Sequence, residues 1–96
     1  MRIRLVVKTG SMRQPLKTVM RPEYDEFLTL LTDARKESRV SQRELARRLG
    51  KTQSYVSKME SGQQRIDVLE FLDYARGIGA EPAVLILKLD VQTRKS

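Results

Sequence analysis

Apolar residues recur at helical spacing through most of the chain after residue 22. Tyr24, Phe27, Leu28, Leu31 and Ala34 lie three and four positions apart, which places them on one face of a helix. Pro22 precedes this run, and the acidic residues that follow it complement the positive end of a helix dipole. The pattern predicts a first amphipathic helix starting at Glu23.

Two shorter helices follow, each with recognisable ends. Ser41 and Glu44 have the spacing of a capping box, and Gly50 stands where a residue with positive φ would end the second helix. Thr52 is expected to cap a third helix that ends at Gly62. The apolar positions predicted to face inward are Leu45, Ala46 and Leu49 in the second helix, and Val56 and Met59 in the third.

A fourth helix is predicted to start at Asp67, with Glu70 three residues later, and to be broken by Gly77 and Gly79. Its expected inward residues are Val68, Phe71, Leu72, Ala75 and Ile78. A fifth helix is predicted from Pro82 to Leu89. The run of residues 84–87 is apolar and partly β-branched, so a strand is the alternative there.

The two ends of the chain lack helical periodicity. Residues 1–22 contain glycine and prolines and are interpreted as a basic arm and linker, with a short strand as an option at Ile3–Val7. Met12 is an alternative natural start. Residues 91–96 form a polar tail. The domain itself is predicted to span residues 23–90 as five short helices, an all-α fold.

The positive charge is concentrated in two blocks. The formal net charge is +7, and residues 1–22 hold six basic side chains and no acidic one. Residues 39–65 hold seven basic and two acidic side chains. Such a distribution favours a polyanionic partner, although solubility alone would explain the terminal block.

The composition excludes several kinds of site. The chain has no cysteine and no histidine, so disulfides, thiolate metal sites and the commonest general base are absent. We therefore expect no enzyme activity and no cofactor. No apolar run approaches the length of a membrane span or a signal peptide, which predicts a cytoplasmic protein.

The segment 42–61 reads as two short helices joined by a tight turn. Ala46 is small enough to let the helices cross closely, and Gly50 supplies the corner. An ordinary corner in a helical bundle would explain the apolar positions equally well. It does not explain the outer face of the third helix, which carries no acidic residue and no large aliphatic one. That face consists of Gln53, Ser54, Ser57 and Lys58, side chains that can pair with base edges.

Four motifs make the resemblance to a known family specific. They are Arg35-Lys36-Glu37, Val40-Ser41-Gln42-Arg43-Glu44-Leu45-Ala46, Leu49-Gly50-Lys51-Thr52-Gln53 and Val56-Ser57-Lys58-Met59-Glu60-Ser61-Gly62. From Tyr24 to Leu89 the chain resembles the Cro/C1-type (Xre family) helix-turn-helix domain, which implies a five-helix, lambda-repressor-like DNA-binding fold.

This resemblance implies a role for each matching residue. Gln53, Ser54 and Lys58 would contact bases in the major groove, with Ser57 a weaker candidate, while Arg35 and Glu60 would form a structural salt bridge. The implied phosphate contacts are Gln42, Arg43, Lys51, Thr52, Tyr55 and Arg65. The alternatives are a half-buried packing role for Tyr55, and solvated or dimer-edge roles for Arg47 and Arg48.

The function that follows is a sequence-specific transcriptional regulator, most simply a repressor. It would bind double-stranded DNA as a homodimer on a near-palindrome. The dimer seam is expected on the fifth helix at Val84, Leu85, Leu87 and Leu89, unless the monomer core absorbs them. The alternative functions are an antitoxin that binds a toxin protein and autoregulates its operon, and a helical interaction module that binds no DNA.

Overall fold

The computed structural model describes residues 21–94, which form five α-helices and no strand. The helices are α1 (Pro22–Glu37), α2 (Gln42–Leu49), α3 (Gln53–Ser61), α4 (Val68–Gly77) and α5 (Pro82–Arg94). This confirms the predicted all-α fold. The predicted arm, with its optional strand at Ile3–Val7, falls outside the described residues apart from Arg21 and Pro22.

The ends of α2 and α3 are held by the expected caps. The Ser41 hydroxyl accepts a hydrogen bond from the backbone N–H of Glu44 at 3.0 Å, and the Thr52 hydroxyl accepts one from Tyr55 at 3.1 Å. Gly50 and Gly62 end the two helices with φ angles of 69° and 84°. These left-handed conformations strain any residue that has a Cβ, so the glycines set the short lengths of α2 and α3.

The capping box predicted at Ser41 is only half formed. The Glu44 carboxylate does not return to the Ser41 backbone but accepts hydrogen bonds from Arg47 at 2.6 Å and Arg48 at 2.9 Å. Two guanidinium groups one turn away offer the carboxylate stronger, charge-assisted bonds. The complete reciprocal box occurs instead at Asp67 and Glu70, where α4 starts.

Two predicted boundaries need correction at α5 and α4. Helix α5 continues to Arg94 rather than ending at Leu89, and the pair of Arg94 with Asp90, 3.0 Å apart at i,i+4 spacing, supports its last turn. Most of the predicted polar tail is therefore helical. Gly77 does not break α4 but is its last residue. A Cβ at Gly77 would lie 2.6 Å from Leu45, so glycine is what lets α2 approach α4 closely.

The core lies between the five helices, where α2 packs on α3 and α4, α1 packs on α3 and α5, and α4 packs on α5. Its largest fully buried side chains are Leu31, Leu45, Val56, Met59 and Tyr74. Of the predicted inward positions of α4, Val68 is wrong, because it is 72% exposed. Leu72 is only half-buried. Within residues 21–94, no helix has both the length and the hydrophobicity needed to cross a bilayer.

Candidate nucleic-acid interface

The outward face of α3 is fully available to a ligand. Gln53, Ser54, Ser57 and Lys58 are all exposed, while Val56 and Met59 on the opposite side of the helix are almost completely buried. The structure thus brings the four predicted base-contacting residues together on one surface. No acidic side chain lies among them, so this surface presents only neutral and cationic donors and acceptors.

A buried ion pair holds the end of α3 against α1. The Nε and Nη2 atoms of Arg35 donate to the Glu60 carboxylate at 2.7 and 3.0 Å, and both side chains are more than 90% buried. A third donor of the same guanidinium reaches the Val40 carbonyl at 2.9 Å. The structure therefore places the two residues of the predicted salt bridge in bidentate contact.

Glu60 also accepts hydrogen bonds from two residues that belong to other helices. The Tyr74 hydroxyl of α4 donates to Oε2 at 2.6 Å, and the Gln42 amide of α2 donates to Oε1 at 2.9 Å. Each carboxylate oxygen thus accepts two hydrogen bonds, which saturates its lone pairs. The network joins α1, α2, α3 and α4 at a single side chain.

Sequence reasoning did not find the role of Tyr74. The available signal was a phenol at a position that the helical period of α4 places inside, because a buried tyrosine hydroxyl needs a hydrogen-bond partner. Tyr74 is completely buried. Its partner could not be identified from the sequence, since Glu60 lies on a different helix.

The network also shifts the ionisation of its members. Burial by itself would raise the pKa of Glu60, but hydrogen bonds from Arg35, Tyr74 and Gln42 outweigh it, and the net pKa is lowered. Burial, followed by the bond to Glu60, raises the pKa of Tyr74. At neutral pH the network is therefore an ionised carboxylate held by a neutral phenol, a neutral amide and a guanidinium.

Gln42 connects this network to the outer face of α3. Its amide nitrogen donates to Glu60, so its amide oxygen faces away from the carboxylate and accepts from Gln53 Nε2 at 3.4 Å. A flip of the Gln42 amide would place its oxygen against a carboxylate, which is electrostatically unfavourable. The orientation of an exposed side chain on α3 is thereby linked to a buried ion pair.

The other residues predicted to contact phosphate are exposed, apart from Tyr55. Arg43, Lys51, Thr52 and Arg65 are exposed, and Lys51 Nζ lies 5.2 Å from the centre of the Tyr55 ring. Tyr55 is half-buried and its hydroxyl donates to Glu70 at 3.4 Å, an arrangement that matches the alternative packing role. Burial and the neighbouring carboxylate raise the pKa of Tyr55.

Arg47 and Arg48 have a local function on α2. Both pair with Glu44, and their hydrogen bonds lower the pKa of this carboxyl to about 2. Arg48 also donates to the Gly77 carbonyl at 2.7 Å, and thus connects α2 to the end of α4.

The predicted dimer seam on α5 is only partly exposed. Val84 and Leu87 are 47% and 61% exposed, and Leu89 is half-buried. Leu85 is 4% exposed and belongs to the monomer core, so its assignment to the seam is wrong. The reason is the helical period, which turns Leu85 towards α1 and α4 while its neighbours face solvent.

Comparisons with known proteins agree with this geometry. The helix-turn-helix family model of Cro/C1 type matches residues 31–85. Among solved structures, the chain is similar to an XRE-family like protein from Pseudomonas syringae pv. tomato str. DC3000. The two are 47% identical with a TM-score of 0.74, over 80% of this chain and 94% of that one. The search of curated proteins finds no match. The chain therefore belongs to the Cro/C1-type, or XRE, family of DNA-binding helix-turn-helix proteins.

Proposed function

We propose that this protein is a sequence-specific transcriptional regulator, most simply a repressor, that reads operator DNA with α3. The observation that carries the proposal is the acid-free outer face of α3 together with the buried network behind it. An ordinary surface helix has no need of such support. A helix that must place side chains against base edges needs to be rigid before it meets its ligand.

The outer face of α3 has the chemistry for direct readout in the major groove. Gln53 can accept from adenine N6 and donate to N7 in a bidentate pair, and Lys58 can donate to guanine. Ser54 and Ser57 are short enough to contact either kind of base edge. The Gln53 amide retains one N–H and its oxygen for such a pair after the contact with Gln42.

The residues around α3 are suited to position the protein on the DNA backbone. The N-terminus of α2 provides free backbone N–H groups beside Gln42 and Arg43, which favour a phosphate. Lys51 and Thr52, just before α3, and Arg65, in the loop after it, are also exposed and add two positive charges and a hydroxyl. The six basic side chains of residues 1–22 supply a further block of positive charge for the duplex.

Binding as a homodimer would place two copies of α3 about 34 Å apart on successive major grooves, and so read a near-palindrome. Val84 and Leu87, the exposed residues of the predicted seam, give α5 an apolar surface for this assembly.

The readout assignment is tested with selected operator sequences and two substitutions. Gln53→Ala and Lys58→Ala should each reduce discrimination at one base pair by about 1–3 kcal/mol, because each removes a pair to a base edge. Lys88→Ala on α5 is the control, since it removes an exposed cation remote from α3. If both α3 variants kept the wild-type preference at every base pair, α3 would not be the reading element.

A salt titration separates specific binding from simple attraction between charges. The wild-type affinity should fall by orders of magnitude between about 50 and 200 mM salt, because bound cations are released from the DNA. Preference for the selected sequence should persist across this range. Binding without sequence preference would contradict the proposed function.

A further inference from the structure

Arg39, in the loop between α1 and α2, has a left-handed backbone conformation. Its φ is 61°, and within residues 21–94 it is the one residue other than glycine with a positive φ. This conformation brings Cβ close to the backbone, so it destabilises the fold for an L-residue but not for glycine. Arginine also lacks the short polar side chain that lets asparagine and aspartate bond locally there. The residue at this corner therefore weakens the folded state.

The backbone hydrogen bonds show what this corner requires. The N–H of Arg39 donates to the carbonyl of Lys36 at 3.0 Å, and the N–H of Val40 donates to the carbonyl five residues back at 3.2 Å. This pair of bonds closes a helix end and needs a left-handed residue. The same pair occurs at the ends of α2 and α4, where the left-handed residues are Gly50 and Gly79. Of three equivalent corners, two carry glycine and one carries arginine.

Contacts within the protein do not account for the arginine. Its side chain is exposed, and its guanidinium forms no ion pair with a carboxylate of residues 21–94, the neighbouring Glu37 included. The chain has 19 lysines and arginines, so solubility does not require one more at a strained position. Strain that no internal contact offsets is typical of a residue that contacts a ligand.

The buried network fixes this loop beside the outer face of α3. Arg35 donates to the Val40 carbonyl at 2.9 Å and, through the same guanidinium, to the carboxylate at the end of α3. Gln42, three residues after Arg39, accepts a hydrogen bond from Gln53 on the outer face of α3 at 3.4 Å. Three residues span at most about 11 Å. The strained corner is therefore held close to residues that the proposed function places against DNA.

We infer that Arg39 is a further contact to the DNA backbone, and that its guanidinium pairs with a phosphate beside those proposed for Gln42 and Arg43. The inference rests on the proposed function and adds a residue to it. A guanidinium matches the geometry of a phosphate with two parallel hydrogen bonds. Such a contact fixes the position of the protein on the duplex and carries no base preference. The chain loses stability at this corner and gains affinity for DNA.

Three substitutions at this position separate the charge from the strain. Arg39→Gly removes both, Arg39→Asn removes the charge and tolerates the left-handed region better, and Arg39→Lys keeps both. The glycine and asparagine variants should have a higher denaturant midpoint than the wild type, and an operator affinity at least about threefold lower. The lysine variant should retain the midpoint and most of the affinity. Lys88→Ala, which removes an exposed cation on α5, is the control and should change affinity less than about twofold.

Two further measurements identify the partner of Arg39 as a phosphate. The slope of log affinity against log salt should fall in magnitude by about 0.9 for each bound copy of Arg39→Gly, with the base preference unchanged. Single operator phosphates are then replaced by neutral methylphosphonates. At one phosphate the replacement should weaken the wild type and leave Arg39→Gly unaffected. A residue with a purely structural role would produce neither result.

The same experiments distinguish failure of the inference from failure of the proposed function. If Arg39→Gly were more stable than the wild type but had the same affinity and salt slope, the arginine would only be tolerated and the inference would be overturned. A glycine variant less stable than the wild type would overturn it too, because the corner would then not be strained. In both cases specific binding by the wild type would leave the proposed function intact. A wild type that did not bind DNA would overturn both.

Discussion

At the scale of single residues, Glu60 has the largest structural role outside the apolar core. Its carboxylate accepts donors from three other helices and lies buried between them. A buried pair of this kind contributes little net stability compared with apolar packing, but removal of one partner leaves an uncompensated charge. We therefore interpret the main role of the network as the positioning of α3, and its contribution to stability as secondary.

The first prediction concerns the Tyr74 hydroxyl. Tyr74→Phe should lower the free energy of unfolding by about 1.5–3 kcal/mol, because a hydrogen bond to a buried carboxylate is lost. The measurement is denaturant unfolding at neutral pH. Tyr55→Phe is the matched control, since its hydroxyl is 3.4 Å from Glu70 in a half-buried setting, and it should change the value by no more than about 0.5 kcal/mol. Equal effects of the two substitutions would contradict the assigned role of Tyr74.

At the scale of elements, α3 shows how a short helix is made rigid. With 9 residues it is too short to be stable in isolation. Its start is fixed by the Thr52 cap, its end by Gly62, and its inner side by the burial of Val56 and Met59. The connection to α2 depends on one left-handed residue, Gly50.

The second prediction isolates the backbone strain at Gly50. No atom lies within 4 Å of the position that a Cβ would take, so substitutions there report conformation and not packing. Gly50→Ala should lower the free energy of unfolding by about 1 kcal/mol, and Gly50→Asn by less, because asparagine tolerates the left-handed region better. Chemical synthesis with D-alanine at this position should restore stability. An L-alanine variant as stable as the wild type would show that the corner does not need positive φ.

At the scale of the whole molecule, positive charge is spread unevenly over the helices. The acid-free face of α3 contrasts with the sides of α2 and α5, where arginines are paired with carboxylates one turn away. Exposed pairs of this kind contribute little to stability. Their effect is to reduce the positive potential around α2 and α5, whereas Lys51 and Lys58 at α3 have no carboxylate partner within residues 21–94.

The third prediction is a loss of stability in acid. The folded protein lowers the pKa of Glu44 from an ordinary 4.5 to about 2, through its bonds to Arg47 and Arg48, and it also lowers that of Glu60. Because the unfolded chain binds these protons first, the free energy of unfolding should fall as the pH drops below about 4.5, mainly through the buried Glu60, since solvent screens the pairs of Glu44.

The two carboxyl groups can be separated by salt. In 1 M salt the contribution of Glu44, whose side chain is 34% exposed, should be screened, whereas that of the buried Glu60 should persist. The measurement is denaturant unfolding of Glu44→Gln between pH 6 and pH 2.5 in high salt. A flat profile for this variant would contradict a lowered pKa at Glu60.

Much of this architecture could be predicted from local sequence patterns. The inward positions of α2 and α3, the caps at Ser41 and Thr52 and the corner at Gly50 depend on residues within one turn of each other. Such contacts can be predicted from neighbouring residues, since helix period and capping chemistry act over three or four residues. The acid-free face of α3 follows from the same period.

The errors occurred where the local pattern allowed more than one arrangement of a side chain. Glu44 pairs with two arginines of its own helix instead of completing its cap, Leu85 lies in the core instead of the seam, and Val68, which was expected to face inward, is exposed. The helical period limits which residues share a face, but the packing of neighbouring helices decides which part of that face is covered.

The sequence by itself therefore determined the five-helix domain, the helix-turn-helix and the exposed, acid-free face of α3, because these follow from short-range spacing. Only the tertiary structure decided that Tyr74 and Gln42 join Arg35 on Glu60, and that α4 and α5 leave an apolar groove beside Val68. The physical reason is that these features depend on distances between side chains far apart in the chain, and helix packing sets those distances.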